Sequence, residues 1–158
     1  MIRRLAAGDE RLLQEVCRHF KQRVPSDDEA PAFLAGESAV AFVAVEENEP
    51  VGFAYGHVLP RIDGARAVFL YELAVAPASR RTGLGRALVG EMRRVAEAVG
   101  AVKMWVQTDE ANEAATRTYA SAGATRAGED VLFEWRFSDR ASASTDGASA
   151  SATTSNQT

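Results

Sequence analysis

The stretch Leu73-Ala-Val-Ala-Pro-Ala-Ser-Arg-Arg-Thr-Gly-Leu-Gly-Arg86 leads from the end of a strand, through a basic turn, into a helix. Pro77 bars continuation of the strand, because proline has no backbone N–H for the next ladder hydrogen bond. After the turn, apolar residues recur at helical spacing, at Leu84, Leu88, Met92, Val95 and Val99. This period predicts one long helix that ends at Gly100.

The turn between this strand and this helix is suited to binding a pyrophosphate. The first amides of a helix have no partner within the helix, and the helix dipole adds partial positive charge there. Glycines in the turn also let phosphate oxygens approach the backbone. The predicted phosphate-binding residues are Arg80, Arg81, Thr82, Gly83, Leu84, Gly85 and Arg86. A purely structural turn stays the alternative, because the spacing is not Gly-x-Gly-x-x-Gly and a P-loop lysine is absent.

Outside this unit, hydrophobic patterns predict further strands and helices. Apolar runs predict strands at residues 2–6, 39–45, 51–59, 66–75, 102–107 and 131–137. Helical spacing predicts helices after Asp9, which can cap the first of them, after Ser26, and over residues 112–122. The predicted order is β-α-α-β-β-β-α-β-α-β, an α/β (α+β) arrangement.

The strand at residues 66–75 is expected to alternate strictly between the two faces of its sheet. The alternation puts Phe69, Tyr71, Leu73 and Val75 on one face. It puts Leu70, Glu72 and Ala74 on the other face. Beyond Ser138 the sequence has no large apolar residue, so we expect one domain, residues 1–137, and a disordered low-complexity tail, residues 138–158.

A second motif is the segment Asn112-Glu-Ala-Ala115-Thr-Arg-Thr-Tyr119-Ala-Ser-Ala-Gly123. Its Asn, Ala and Tyr are three and four residues apart, so they share one face of a helix. Together with Arg80-x-x-Gly83-x-Gly85, this segment resembles the acetyl-CoA signatures of the GNAT acetyltransferase superfamily. The resemblance implies a GNAT fold, a mixed central sheet whose fourth and fifth strands splay apart around acetyl-CoA.

The resemblance also implies which residues meet the cofactor. The backbone of Leu73, Ala74 and Val75 would pair with the pantetheine arm, and the turn described above would hold the pyrophosphate. Asn112, Ala115 and Tyr119 would approach the arm and the thioester from the other side. A backbone amide near Val75 could polarise the thioester oxygen.

Three segments resemble a narrower group, the aminoglycoside 3-N-acetyltransferases of the type I branch. They are Tyr55-Gly-His-Val-Leu-Pro-Arg61, Phe69-Leu-Tyr-Glu-Leu-Ala-Val75 and Trp105-Val-Gln-Thr-Asp109. This resemblance implies an aminoglycoside acceptor, a role in antibiotic resistance and a homodimer. That branch usually carries Asp in place of Glu72 and a bulkier apolar residue in place of Ala124. The alternatives are an acetyltransferase for another amine, such as a polyamine or a protein amino group, and a non-catalytic acyl-CoA-binding module.

Glu72 and Tyr119 are the candidate catalytic residues. An amine must lose its proton before it attacks a thioester, and Glu72 can accept that proton directly or through water. Tyr119, with an ordinary pKa near ~10, can give a proton to the leaving thiolate. The alternatives are a strand glutamate that faces solvent or pairs with an arginine, and a packed helix aromatic. Direct attack is favoured over an acyl-enzyme, because Cys17 lies on the apolar stripe of its helix.

The ammonium groups of an aminoglycoside need carboxylates as partners. The candidates for binding the acceptor are Asp27, Asp28, Glu72, Asp109, Glu110 and Glu134, with a solvated acid as the alternative for each. His57 could line the same site or be structural, and Trp105 and Trp135 are predicted to be core or interface residues.

Composition narrows the classes of partner. The formal net charge of −4 gives no electrostatic reason to bind nucleic acid or an anionic membrane, whereas a small cation fits it. One cysteine and two isolated histidines exclude a disulfide framework and predict no metal site. The amino terminus turns polar before a signal region could form, so we expect a cytoplasmic protein.

Overall fold

The computed structural model describes residues 1–128. Its elements are β1 (Ile2–Arg4), α1 (Glu10–Phe20), α2 (Glu29–Leu34), β2 (Ala39–Glu46), β3 (Glu49–Pro60), β4 (Arg66–Val75), a 3-10 turn (Pro77–Ser79), α3 (Leu84–Ala98), β5 (Ala101–Trp105) and α4 (Glu113–Ser121). The predicted order is confirmed from the first strand to the last of these helices. The predicted strand 131–137, with Glu134 and Trp135, and the tail lie outside the described residues, and the domain boundary at residue 137 stays a prediction.

The described strands form one mixed sheet in the order β1-β2-β3-β4-β5. Neighbours are antiparallel from β1 to β4, whereas β4 and β5 run parallel. A parallel pair needs a crossover connection, and α3 is that connection. The long helix that the sequence predicts therefore packs across one face of the sheet.

Helices cover both faces of the sheet. On one face, Leu88 and Met92 of α3 are fully buried in a cluster with Val68 and Leu70 of β4, and Tyr119 of α4 packs at its edge. On the other face, residues of α1 and α2 pack on a second cluster formed by Leu5, Val16, Ala41, Val43 and Phe53. We refer to these as the α3 face and the α1 face.

A β-bulge interrupts the pairing of β3 with β4. Tyr55 lies opposite Glu72, but the next residue of β3, Gly56, lies opposite Leu70. Tyr71 is therefore the extra residue on β4, and its ring lies 5.2 Å from the ring of Tyr55. Tyr71 and Glu72 thus both lie opposite Tyr55.

The predicted alternation of β4 is wrong across this bulge. Leu70 lies on the α3 face together with Leu73 and Val75, whereas Ala74 packs on the α1 face. One extra residue shifts the parity of every side chain that follows it, because the side-chain period of a strand is two.

The start of α1 differs in detail from the prediction. Asp9 occupies the N-cap position but makes no capping hydrogen bond with its side chain. Its Oδ2 accepts from the Ala6 N–H at 2.9 Å, and its Oδ1 accepts from Arg3 Nη1 at 2.8 Å. The carboxylate therefore ties β1 to the loop before α1. Within residues 1–128, no helix combines the length and the apolar character needed to span a membrane.

Candidate active site

A gap opens between β4 and β5. Their pairing runs from Arg66 opposite Ala101 to Phe69 opposite Trp105, and β4 then continues to Val75. The predicted splay of the fourth and fifth strands begins at this point. The two cofactor motifs of the sequence follow the diverging ends of these strands.

Backbone groups of β4 face this gap at alternate residues. The Ala76 N–H donates to the Val51 carbonyl at 2.9 Å, which makes the next pair, Val75 and Gly52, a non-hydrogen-bonded pair. Antiparallel alternation then directs the N–H and C=O of Val75 and Leu73 away from β3, and those of Ala74 towards it. An extended arm in the gap could thus form backbone hydrogen bonds with Leu73 and Val75. In this structure Arg80 Nε donates to the Val75 carbonyl at 3.1 Å.

The turn before α3 has the backbone of an anion-binding loop. Arg81 and Gly83 have positive φ values of 63° and 88°. Gly83 is the N-cap of α3 and has no side chain to cap the first amides, which leaves them directed towards the turn. A Cβ at Gly83 would meet no atom within 4 Å, so the surface beside these amides is open. This arrangement fits a pyrophosphate.

The other residues of the turn have different surroundings. Thr82 Oγ1 donates to the Ser79 carbonyl at 2.8 Å, which closes the loop. A Cβ at Gly85 would lie 3.2 Å from Thr118 Cγ2, so this glycine lets α4 approach α3, a reason that differs from the predicted phosphate contact. Arg86 is exposed and lines a cleft of about 230 Å³ with Arg93 and the end of α4.

The second motif forms α4, as predicted. Asn112 is its N-cap, and the side-chain Oδ1 accepts from the Ala115 N–H at 3.1 Å. The amide oxygen of Asn112 is thereby engaged in the helix itself. Ala115 and Tyr119 are partly buried on the same side of α4, and burial raises the pKa of the Tyr119 hydroxyl above its ordinary value.

Glu72 lies at the bulge, on the α1 face of β4. Lys21 Nζ donates to its Oε1 at 2.9 Å and to its Oε2 at 2.7 Å. The side chain of Glu72 is 27% exposed, so solvent reaches the carboxylate. Lys21 caps the end of α1, 51 residues away in sequence, and sequence reasoning missed it because no local pattern links the two.

Aromatic rings form a row beside Glu72, across three strands. Successive ring centroids lie 5.2 to 6.3 Å apart along Phe53, Tyr55, Tyr71, Phe69 and Trp105. Tyr71 is 57% exposed within this row, and Lys103 Nζ lies 5.0 Å from the centroid of the Trp105 ring. The row extends from Phe53, in the cluster of the α1 face, to Trp105, at the gap between β4 and β5. Aromatic residues at alternate positions of these strands were the sequence signal that could have revealed it.

The remaining predicted acids lie elsewhere. Asp27 Oδ1 accepts from Gln14 Nε2 at 3.0 Å, and Asp28 is the N-cap of α2. Asp109 Oδ1 accepts from the Ala111 N–H at 2.8 Å in the loop after β5, where Glu110 is exposed. In the part of the chain that the structure describes, Glu72 pairs with Lys21, and Asp27 and Asp109 have other partners.

A cavity of about 320 Å³ opens under α1 and α2, next to this site. Its floor is apolar, and Cys17, Lys21 and Tyr55 line it on the side of Glu72. Burial raises the pKa of the Cys17 thiol. Burial, with a smaller effect of the Glu72 carboxylate, raises the pKa of Tyr55 to about 12, so this phenol stays neutral.

His57 and the potential metal ligands are the remaining candidates for the site. His57 lies opposite Ala39 at the edge of the aromatic row, with its Nδ1 3.5 Å from Ser38 Oγ. Over the described residues, the acidic, histidine and cysteine side chains form no group that could hold a metal ion.

Comparison with known proteins gives a consistent result. The model of the acetyltransferase (GNAT) family matches residues 10–124. A mycothiol acetyltransferase of Thermobispora bispora is 36% identical over 94 residues, which are 58% of this chain and only 32% of that protein, so the chain spans about a third of this relative. The ribosomal protein bS18-alanine N-acetyltransferase of Escherichia coli is 31% identical over 108 residues, 66% of this chain and 70% of that one. Among solved structures, the aminoglycoside acetyltransferase meta-AAC0020 from an uncultured soil metagenomic sample matches with a TM-score of 0.80 and 25% identity, over 87% of this chain and 96% of that chain.

Proposed function

The chain belongs to the acetyltransferase (GNAT) family, and from this premise we propose that it transfers the acetyl group of acetyl-CoA to the 3-amino group of an aminoglycoside. The observation that carries the proposal is the Glu72 carboxylate, which already holds an ammonium group, that of Lys21, with both of its oxygens. An aminoglycoside brings ammonium groups of the same chemistry. The similarity to meta-AAC0020 supports the same class of acceptor.

In this proposal the cofactor supplies the acetyl thioester, and the chain binds it at two places. Leu73 and Val75 pair with the pantetheine arm, while the amides at Gly83 to Gly85 and the side chains of Arg81 and Arg86 hold the phosphates. Ala115 and Tyr119 lie along α4, on the other side of the gap. The cofactor also agrees with the family to which the chain belongs.

Two side chains handle protons in this proposal. Glu72 accepts a proton from the acceptor ammonium, directly or through water, so that the neutral nitrogen can form the new bond to the acetyl carbon. The Tyr119 hydroxyl, which is protonated at neutral pH and whose pKa burial raises further, gives its proton to the sulfur as the C–S bond breaks. The second proton of the acylated nitrogen then restores the phenol, directly or through water. The exposed ring of Tyr71 provides a surface for the sugar rings beside Glu72.

A second candidate acceptor is the amino-terminal amine of a protein. The observation that favours it is the cavity beside Lys21 and Tyr55, whose apolar floor could take the side chain next to that amine. The relative that acts on ribosomal protein bS18 supports this candidate. An aminoglycoside has no comparable apolar group.

A thiol-release assay with acetyl-CoA distinguishes these candidates. The amines are gentamicin, kanamycin, spermidine and a short peptide with a free amino terminus. We expect the highest kcat/KM with an aminoglycoside, with the product acetylated at the 3-amino group by NMR. Turnover of the peptide alone would favour the second candidate, and binding of CoA without turnover of any amine would identify a non-catalytic module.

The role of Glu72 is tested by Glu72→Gln. We expect a decrease in kcat of roughly 10²-fold or more, with the affinity for acetyl-CoA retained, because the amide cannot accept the proton. Glu97→Gln is the matched control, since Glu97 is exposed on α3 and pairs with Arg93 four residues away. An equal decrease in cofactor affinity in Glu72→Gln would contradict the assignment.

A further inference from the structure

The contact between Lys21 and Glu72 joins two distant parts of the chain. Lys21 follows α1, and its N–H donates to the Cys17 carbonyl at 2.9 Å, which fixes its backbone at the end of the helix. Its side chain extends across the edge of the α1 face to β4. Both Glu72 oxygens lie within 2.9 Å of the ammonium nitrogen.

The acceptor amine needs these same two oxygens. It arrives as an ammonium ion near neutral pH, and an ammonium can donate up to three hydrogen bonds, of which Lys21 Nζ directs two to Glu72. The two cations cannot both occupy the hydrogen-bonding positions of one carboxylate without repelling each other. Binding of the acceptor at the two positions that Lys21 occupies therefore requires that Lys21 leave Glu72.

We propose that Lys21 is an internal substitute for the acceptor ammonium: it holds the Glu72 carboxylate in place in the free enzyme and is displaced when the acceptor binds. The inference rests on the proposed role of Glu72 in receiving an amine. Lys21 is then a positioning residue that sets the affinity for cationic acceptors, and it takes no part in the transfer itself.

The energetics allow this exchange. The side chains of Lys21 and Glu72 are 41% and 27% exposed, so the pair is partly solvated and screened. A pair of this kind contributes little to stability, and separating it costs far less than breaking a buried pair. One ammonium replaces another at the carboxylate, so Glu72 is paired with a cation both before and after the exchange.

The released side chain also has space to occupy. Lys21 lines the cavity of about 320 Å³ under α1 and α2, so its stem can rotate without displacing a packed neighbour. Glu29 lines the same cavity and is held by Arg23 Nη2 at 2.6 Å. The released ammonium thus moves towards the Glu29 carboxylate, which it would share with Arg23, another residue of the cavity lining.

Among the described groups that face Glu72, Lys21 supplies the positive charge. Tyr55, whose pKa is raised by burial, presents a phenol from β3, and Tyr71 lies opposite it on β4. Cys17 presents a thiol from α1 whose pKa is raised by burial. In the described part of the chain, Lys21 makes the ion pair to Glu72. Removing its charge should therefore change how the carboxylate meets an incoming ammonium, with little effect on the core.

The test uses Lys21→Met, which removes the charge and keeps the stem, and Lys21→Gln as a second variant. Kanamycin and spermidine are the probes. Their Kd values are measured by calorimetry in the presence of CoA, and their KM values wherever turnover occurs. We expect Kd and KM to decrease about two- to fivefold in both variants, with kcat and the KM for acetyl-CoA much less affected.

Three further variants complete the experiment. Lys21→Arg keeps the cation and should bind both amines as the wild type does. Arg18→Met, which removes a charge from the exposed side of the same helix end, should leave Kd unchanged. In a Glu72→Gln background, Lys21→Met should no longer tighten binding.

Unchanged or weaker binding of both amines by Lys21→Met and Lys21→Gln would overturn the inference, as would an equal gain in the Glu72→Gln background. The proposed function can fail separately. If kanamycin is not acetylated but binding of spermidine tightens in Lys21→Met, the exchange stands and the aminoglycoside assignment falls.

Discussion

Glu72 forms an ion pair in the structure and is also the proposed catalytic base. A strand glutamate next to a cofactor motif could be a base, or it could face solvent or pair with an arginine. In the structure it pairs with a lysine, Lys21, at 2.7 Å. The pairing does not exclude the role of a base. A partly exposed ion pair is weak enough to exchange with a charged acceptor.

Tyr119 can be tested through its hydroxyl group alone. Because burial raises its pKa, the hydroxyl stays protonated up to strongly basic pH and can give a proton to the leaving sulfur. We expect Tyr119→Phe to lower kcat by roughly 10²-fold, because the ring is kept and the donor is lost. Steady-state kinetics with acetyl-CoA and a thermal unfolding curve measure this.

The control for Tyr119→Phe is the stability of the variant. The ring packs against the core cluster of the α3 face, so an unchanged melting temperature shows that packing is intact. A loss of acetyl-CoA affinity as large as the loss of kcat would assign Tyr119 to binding rather than to proton transfer.

At the scale of elements, the bulge in β4 determines which face Glu72 occupies, and Gly56 makes the bulge possible. A Cβ at Gly56 would fall far inside van der Waals contact of the Phe69 carbonyl oxygen and 3.0 Å from Leu70 Cα. Both are backbone atoms, so the strand itself would have to move. The residue of β3 that follows Tyr55 and lies opposite Leu70 must therefore be glycine.

We expect Gly56→Ala to lower the free energy of unfolding by about 2 to 3 kcal/mol, because it overpacks the junction of β3 and β4. Urea unfolding followed by circular dichroism measures the change. Gly90→Ala is the control, since a Cβ there meets no atom within 4 Å and alanine favours the helical conformation of α3. It should stabilise by about 0.5 to 1 kcal/mol. Equal stability of the two variants would show that the bulge tolerates a side chain.

At the scale of the whole molecule, the link between β1 and α1 predicts a dependence of stability on pH. The hydrogen bond from the Ala6 N–H, aided by Arg3, holds the pKa of Asp9 below its ordinary value. A carboxyl whose pKa is lower in the folded state stabilises the fold above its unfolded pKa, about 4. This contribution is lost as the pH falls through the folded value.

We therefore expect Asp9→Asn to lower the free energy of unfolding by about 1 to 2 kcal/mol at pH 7 and by much less at pH 3. Urea titrations at the two pH values measure the difference. Glu97→Gln, which removes an exposed ion pair, should change stability by less than about 0.5 kcal/mol at either pH. A deficit for Asp9→Asn that is equal at pH 7 and pH 3 would contradict the linkage.

The sequence by itself determined the order of the elements and the cofactor motifs. Both depend on local rules, because helical and strand periods, Pro77 and the glycines of the turn act within a few residues of chain. The position of Tyr119 on its helix followed in the same way. These features are therefore readable without knowing how the elements pack.

Only the tertiary structure decided what surrounds Glu72. The bulge depends on how β3 and β4 align, and strict alternation assigned Leu70 to the wrong face. The pair of Lys21 with Glu72 and the cavity beside it depend on where α1 lies over the sheet. Register and packing are set by interactions between distant segments, and no pattern within one segment records them.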